Sequence, residues 1–373
     1  MIMKLHIKQA RNFIGFSLKN IKKGEKIKVL VKAGITSDDP NFYHYIEQIS
    51  NIFLNKINVN SVYQFLILIH RDLSVDIYIN DFPVEIEIIA KRNIKKGEIV
   101  RQSDIVDIRK LRFPDIKVLE TDKIIFCFKV GWKFGLFFDL DRSQKMKLED
   151  LFLSLGRLYR YLSFQYIYDV LKTKPQFEEM IKDGWFPFVE LLGREYKLLT
   201  EIYQNKFNFD DRIKNLVINN FSKERIEKIM NRWWNKQIFK EKQKLLEAGV
   251  KAFLENTEKG YINCIKNLYS EIDGILRYQY FKETSQGRDI KFSDLLDWIC
   301  EKGKRKTKDA SSLFFPTYFL EYLKRQFEKF DLEKGKIPFS RHSSLHGVAK
   351  PESYSQIRAL QTILIVDQIY FYL

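Results

Sequence analysis

Arg341–Gly347 reads RHSSLHG and holds two of the five histidines in a chain of 373 residues. His342 and His346 are four apart, so on a helix they would share a face and could grip a metal. The zinc-hydrolase form of that spacing needs a glutamate after the first histidine as base, and here that position is Ser343. Beyond the pair the only acidic residues are Glu352 and Asp367, so neither a metal nor another cofactor is expected. Arg341 and His346 form a second pairing, Arg-x4-His. Five residues subtend about 140° on an α-helix, so these side chains do not stack on one face. They could converge where a helix frays at Gly347, or across a two-fold axis with a second copy. Histidine is the natural acid or base near neutral pH. Arginine, forked and permanently charged, suits a phosphate whose charge rises in the transition state. Together they suffice for metal-free RNA cleavage, in which the 2′-hydroxyl attacks its own phosphodiester. The alternative is an arginine and a histidine that merely decorate a helix end.

The surrounding stretch, FSRHSSLHGVAKPESYSQIRALQTILIVDQI, resembles the last part of the HEPN superfamily (higher eukaryotes and prokaryotes nucleotide-binding). In that family an Arg, a polar residue, a few more residues and a His, often followed by Gly, precede a closing apolar helix. Upstream, NLYSEIDGILRYQY at 267–280 resembles the family's acidic-Gly-apolar-Leu-Arg stretch, with Asp273, Gly274 and Arg277 at the matching positions. The resemblance covers roughly 238–373. One departure is His342, which stands where asparagine is commonest. The resemblance implies a four- or five-helix bundle that dimerises, bringing two Arg-x4-His motifs into one cleft. It also implies a metal-independent endoribonuclease, often a toxin or an abortive-infection or CRISPR-linked defence effector. Carried over by position, His346 would be the acid or base, Arg341 the phosphate clamp and His342 a lesser contact. Ser343 and Ser344 are expected to sit in the turn. A β-rich domain ahead of such a bundle is similar to abortive-infection proteins of the ApeA type, although no motif in residues 1–142 carries that likeness. The rival expectation is a non-catalytic nucleotide- or RNA-binding or scaffold module.

RNA as partner also fits the charge. The formal net charge is +16, with 24 basic against 17 acidic residues up to residue 142 and 40 against 31 after it. An excess spread in this way attracts polyanions. EKGKRKTKDA at 301–310 places Lys302, Lys304, Arg305, Lys306 and Lys308 in one expected loop that could track a phosphate backbone. NRWWNK at 231–236 joins two tryptophans to Arg232 and Lys236, which reads as packing more readily than as base stacking. PDIK at 114–117 lacks the second half of a metal-nuclease core. Neither Gly-x-x-x-x-Gly-Lys nor Gly-x-Gly-x-x-Gly occurs, which leaves kinases, NTPases and dinucleotide enzymes without support.

The elements that must position these residues follow from periodicity. Up to residue 142 the pattern is β-rich: VYQFLILIH, SVDIYINDF, VEIEIIA, KIIFCFKV and FGLFFDL alternate with turn residues, and the last two should form a hairpin. NIKKGE occurs at Asn20–Glu25 and again at Asn93–Glu98, either as one turn chemistry used twice or as a duplicated β unit. His6, His44 and His70 lie in apolar or aromatic settings and are expected to pack. From about 143 the period becomes helical. Leu148, Leu151, Phe152, Leu155, Leu158, Tyr159 and Leu162 mark one helix face, and Tyr261 to Leu276 another. Further helices are expected near 188–205, 222–234, 238–256, 293–302 and 317–330. A last one should start at Ser353, apolar on nearly all sides, with the Ser-x-x-Gln spacing of a capping box.

The expected fold class is α+β multidomain: a β-rich sensor or regulatory domain (1–142), a helical middle region (143–236) and a HEPN-like bundle (237–373). The first would meet a regulatory ligand or protein trigger, and the last a second copy in a homodimer. Cys127, Cys264 and Cys300 are too few and scattered for a disulfide framework and read as buried thiols. No signal peptide and no run of about 18 uncharged apolar residues is seen, so a cytoplasmic location without membrane contact is expected.

Overall fold

The computed structural model describes residues 2–8, 12–54, 61–141, 145–286, 290–333, 335 and 338–373. Strands are Ile2–Ile7 (β1), Phe16–Ser17 (β2), Val29–Leu30 (β3), Lys32–Thr36 (β4), Gln64–Ile69 (β5), Val75–Asn80 (β6), Glu85–Ala90 (β7), Ile105–Arg112 (β8), Lys123–Val130 (β9) and Lys133–Asp139 (β10). Six of them form a sheet in the order β1-β6-β5-β9-β10-β4, antiparallel at every step. β2 pairs with β3, and β7 with β8. The expected hairpin is present: Val130 pairs with Lys133 around Gly131 and Trp132, with Gly131 at φ +60°.

Strands such as KIIFCFKV read as nearly continuous apolar runs because both faces of the sheet are covered. One face carries Ile67, Ile77, Ile125, Cys127 and Phe138, packed with Phe42, Tyr45 and Ile49 of a helix at Phe42–Ile49 (α1). The other carries Leu66, Leu68, Ile124, Phe126 and Phe137. It is covered by Leu151, Leu155, Leu158 and Leu162 of the helix Leu148–Ser163 (α2). That apolar stripe is the one the sequence marks, and it belongs to the sheet rather than to the helical region. The chain accordingly divides into Met1–Ile89 with Asp107–Gln165, and Ala90–Val106 with Tyr166–Leu373. The expected boundary at 142/143 lies outside the described residues.

The repeated NIKKGE gives the same turn twice. Glu25 N–H donates to the Lys22 carbonyl (3.1 Å) and the Glu25 carboxylate accepts from Lys22 N–H (3.1 Å), with Gly24 at φ +90°. Glu98 and Lys95 repeat both bonds at 3.1 and 3.0 Å, with Gly97 at φ +82°. Local turn chemistry therefore explains the echo: glycine alone takes the positive φ cheaply, and the glutamate closes the turn from its own side chain.

The second unit is helical: Gln165–Lys172 (α3, from the last residue of the first unit), Lys174–Lys182 (α4), Arg194–Gln204 (α5), Phe209–Asn220 (α6), Lys223–Trp233 (α7), Gln237–Glu241 (α8), Gln243–Leu254 (α9), Glu258–Thr284 (α10), Phe292–Thr307 (α11), Pro316–Gln326 (α12), Arg341–Leu345 (α13) and Gln356–Tyr372 (α14). Residue 236 lies in a short connection within this unit. Every residue of α14 from Ala359 to Ile369 is buried, as its all-round apolarity requires. Its cap is Ser355, whose hydroxyl accepts from Arg358 N–H at 3.3 Å. Ser353 instead closes a single 3-10 turn begun by Pro351, so the expected Ser353 cap is displaced by two residues.

Asp367 interrupts α14 and is only 1% exposed. Arg232 of α7 meets it with Nε at 2.9 Å and Nη2 at 2.5 Å, and Trp233 Nε1 donates at 2.9 Å. Trp233 is fully buried, as the packing expectation requires, and Trp234 is half-buried.

Two outcomes test this description. Adding a Cβ to Gly156 of α2 would place it 2.3 Å from the Arg109 carbonyl oxygen. Gly156→Ala should therefore cost about 1–3 kcal/mol in urea unfolding, although Ala for Gly ordinarily gains up to about 1 kcal/mol inside a helix. Arg232→Leu strands the Asp367 carboxylate and should cost about 3–5 kcal/mol. The double variant Arg232→Leu/Asp367→Leu should recover much of that loss; a double variant no better than the single one would contradict the account.

Candidate functional site

Arg341 opens α13, a single turn held at both ends. At its start Ser340 Oγ accepts from Ser343 N–H (3.2 Å) while Ser343 Oγ accepts from Ser340 N–H (3.0 Å), a reciprocal capping box. Ser340 Oγ also donates to the Glu328 carbonyl, and Ser343 Oγ to that of Pro338. At its end Val348 N–H reaches the Ser343 carbonyl (3.0 Å) and Gly347 N–H that of Ser344 (3.3 Å), with Gly347 at φ +74°. That is the Schellman arrangement, and it places His346 at the C-cap. Ser343 and Ser344 are fully buried, so the turn role expected of them holds.

The two stretches that carry the family resemblance meet in space. Arg341 Nη2 lies 2.7 Å from Asp273 Oδ2 on α10, and Arg277, one turn further along, holds Asp273 Oδ1 at 2.9 Å. Arg277 Nη1 in turn donates to the Ile290 carbonyl. The Arg341 guanidinium lies over the Phe292 ring, 4.7 Å from its centroid. Gly274 keeps room for Lys242, whose Nζ a Cβ there would approach to 3.2 Å. Asp273 thus balances two arginines, one from each stretch. The Arg341 Nε is buried and has no hydrogen-bond partner among the described residues.

The two histidines sit ring to ring, centroids 4.6 Å apart, with Phe330 at 4.7 Å from His342 and 6.0 Å from His346. His346 is exposed and His342 half-buried, its Nδ1 without a partner among the described residues. Burial first, then the charges of His346, Lys329 and Arg341, push the His342 imidazole below its ordinary value of 6.5. One turn therefore presents an anchored guanidinium, a ring biased toward neutral and an exposed ring. Phe330 and Phe292 carry no signature in the sequence; Asp273 does, through its stretch.

The basic segment differs from expectation. Lys302, Lys304, Arg305 and Lys306 lie on the last turns of α11, and only Lys308 lies past its end, in the left-handed region at φ +52°. The charged residues continue the helix because Leu295, Leu296, Ile299, Cys300, Gly303 and Thr307 keep its buried face going to the end. Lys302 pairs with Glu283, Lys304 with Glu301 at 2.5 Å, and Lys306 donates to the Phe371 carbonyl at 2.7 Å. The expected phosphate-tracking loop is therefore replaced by a helix end whose lysines point to different partners. The N-terminal histidines also depart from the packing reading: His6 and His44 are exposed, while His6 meets Asp76 at 3.1 Å and His70 meets Asp122 at 2.9 Å. The three cysteines are buried and free, as expected. No helix among the described residues is long and apolar enough to cross a membrane.

No family model, no curated protein and no solved structure matches the chain.

The lowered imidazole of His342 has a pH consequence. In the unfolded chain it binds a proton near pH 6.5, in the folded protein only at lower pH. Between those values the unfolded state holds more protons, so its contribution to stability is present above about pH 6.5 and lost as pH falls. The urea midpoint should drop less between pH 7 and pH 5 for His342→Gln than for the unaltered protein. Parallel pH profiles would remove His342 from this role.

Proposed function

We propose that this protein is a metal-independent endoribonuclease of the HEPN type, acting as a homodimer. What supports the reading above all is the junction of Arg341 with Asp273: an Arg-x4-His turn docked on the acidic-Gly-Leu-Arg stretch of a long helix. Spacing alone does not require those two segments to touch. The anchored Arg341 presents the remainder of its fork to a phosphate, and the exposed His346 offers acid–base capacity beside it.

In the reaction, the substrate's 2′-oxygen attacks the adjacent phosphorus as a histidine takes the hydroxyl proton. The bond from phosphorus to the 5′-oxygen breaks, and the leaving oxygen takes up a proton. The products are a 2′,3′-cyclic phosphate and a 5′-hydroxyl end. Two protomers would supply one His346 as base and the other as acid, with Arg341 stabilising the charge that builds on the non-bridging oxygens. His342 supports the His346 ring. The β-rich unit serves as the sensor or restraint that a nuclease toxic to its own host needs, consistent with an antiphage defence or toxin effector in a prokaryote.

One observation favours a second reading. Arg341 already has its charge met by Asp273 and its face by Phe292, which is what a purely structural residue in a non-catalytic RNA-binding or scaffold module would show. The two readings part on one variant. Purified protein incubated with total RNA in EDTA should yield fragments, and His346→Ala should slow their appearance by about 10²–10⁴-fold at unchanged fold and dimer content. Host growth on expression should be restored by the same substitution. Equal cleavage by both proteins, or equal toxicity, would sink the nuclease reading.

A further inference from the structure

A cavity of about 570 Å³ opens in the second unit, away in residue content from Arg341 and His346. It is walled by residues 90–93 and 103–104, by α7, and by the ends of α11 and α14. Seven cationic side chains line it against two carboxylates, those of Asp104 and Glu190. Both carboxylates are already engaged. Asp104 receives Arg92 through Nε at 2.8 Å and Nη2 at 3.1 Å. Glu190 receives Arg225 at 3.1 Å and Arg232 at 2.7 Å, and Arg232 is shared with Asp367.

Four lysines remain: Lys91, Lys228, Lys236 and Lys306. None has a carboxylate at ion-pair distance among the described residues. Lys236 and Lys306 donate to the carbonyls of Tyr370 and Phe371, the last turn of α14. Capping a helix end explains part of this, but a C-terminus carries only about half a negative charge. It leaves Lys228 unaccounted for, and Lys91 shares Glu190 with two arginines. Burial, then the nearness of Lys306 and Lys302, pushes Lys236 down to about 7. Burial first also lowers Lys91, with Glu190 pulling the other way and Arg232 and Arg225 adding to the fall. Basic side chains thus outnumber carboxylates seven to two in a concave site, and burial disfavours the charged form of the inner lysines.

We propose that this cavity binds a compact oligophosphate, the triphosphate group of a nucleotide or inorganic triphosphate. A small molecule carrying several negative charges suits four lysines with no ion-paired carboxylate, whose charged form it would favour, in a cavity within the usual 300–1,000 Å³ range for ligands. The aromatic faces are taken: Lys236 sits 4.4 Å over the Tyr370 ring and Arg232 5.1 Å over Phe371. The site reads phosphates rather than a base.

The test is calorimetric titration of the full chain, at one ionic strength, with inorganic triphosphate, ATP, AMP and a short single-stranded RNA. Triphosphate and ATP should bind with similar affinity and AMP far more weakly; triphosphate binding much tighter than ATP would assign the inorganic source, and the reverse the nucleotide. Lys236→Gln and Lys306→Gln should each weaken triphosphate by about tenfold or more, the equivalent of one charged hydrogen bond. Lys117→Gln, an exposed lysine of the first unit, removes the same charge and should change nothing. Lys228→Gln at the exposed rim keeps the fold safe and should still weaken binding, so loss of folding in the inner variants leaves the answer intact. The proposal fails if triphosphate gives no binding, if pocket and control variants bind alike, or if only the RNA binds.

Discussion

Asp367 is a carboxylate in the middle of the most buried helix of the chain, and the helical unit is organised around satisfying it. Arg232 and Trp233 supply three hydrogen bonds from α7. Arg232 also reaches Glu190, which is held by Arg225, and Arg225 is held in turn by Glu195. Burial would raise the Glu190 carboxyl, but Lys91, Arg232 and Arg225 overcome it and bring it to about 2. Next to Asp367, the Gln368 side chain accepts from Val189 N–H at 2.8 Å. A buried network of this kind adds little net stability over an apolar core, since desolvation offsets most of the attraction. Its effect is on specificity: apolar contacts along α14 tolerate rotation about the helix axis, whereas Asp367 has to face Arg232.

The Arg341 junction applies the same physics with the balance set differently. Asp273 faces two arginines where Asp367 faces one arginine and an indole. The acids differ in exposure, 20% for Asp273 against 1% for Asp367, while the two arginines are alike at 19% and 16%. A fully buried acid fixes a helix; a partly exposed one fixes the direction of an arginine whose Nε has no partner among the described residues. The rigid turn at 340–348 completes this, since both ends of α13 are tied by backbone and serine bonds before any long-range contact is counted. The oligophosphate cavity stands at the far end of the scale, where cations outnumber the acids that face them.

Much of this was legible beforehand, for identifiable reasons. KIIFCFKV and FGLFFDL announce a hairpin because two nearly continuous β-branched and aromatic runs around a Gly-containing break have few other uses. The two NIKKGE turns close through bonds spanning four residues, so identical local sequence gives identical geometry. The stripe from Leu148 to Leu162 declares a helix with one apolar face. It does not declare what that face covers, which is the sheet. The 301–310 segment misleads because charge density resembles a loop, whereas the buried positions Gly303 and Thr307 continue the period of α11.

The sequence by itself determined most of the chain's local structure and its chemical vocabulary: strands, turns, most helices, the Arg-x4-His spacing and an excess of positive charge. These follow from interactions within a few residues, where types and spacing are sufficient. Only the tertiary structure decided which charges are matched. Asp273 meets Arg341 across 68 positions, Asp367 meets Arg232 across 135, and Lys236 and Lys306 converge on the end of α14. Coulombic pairing depends on distance and on the exclusion of water, and neither is set until the helices have packed.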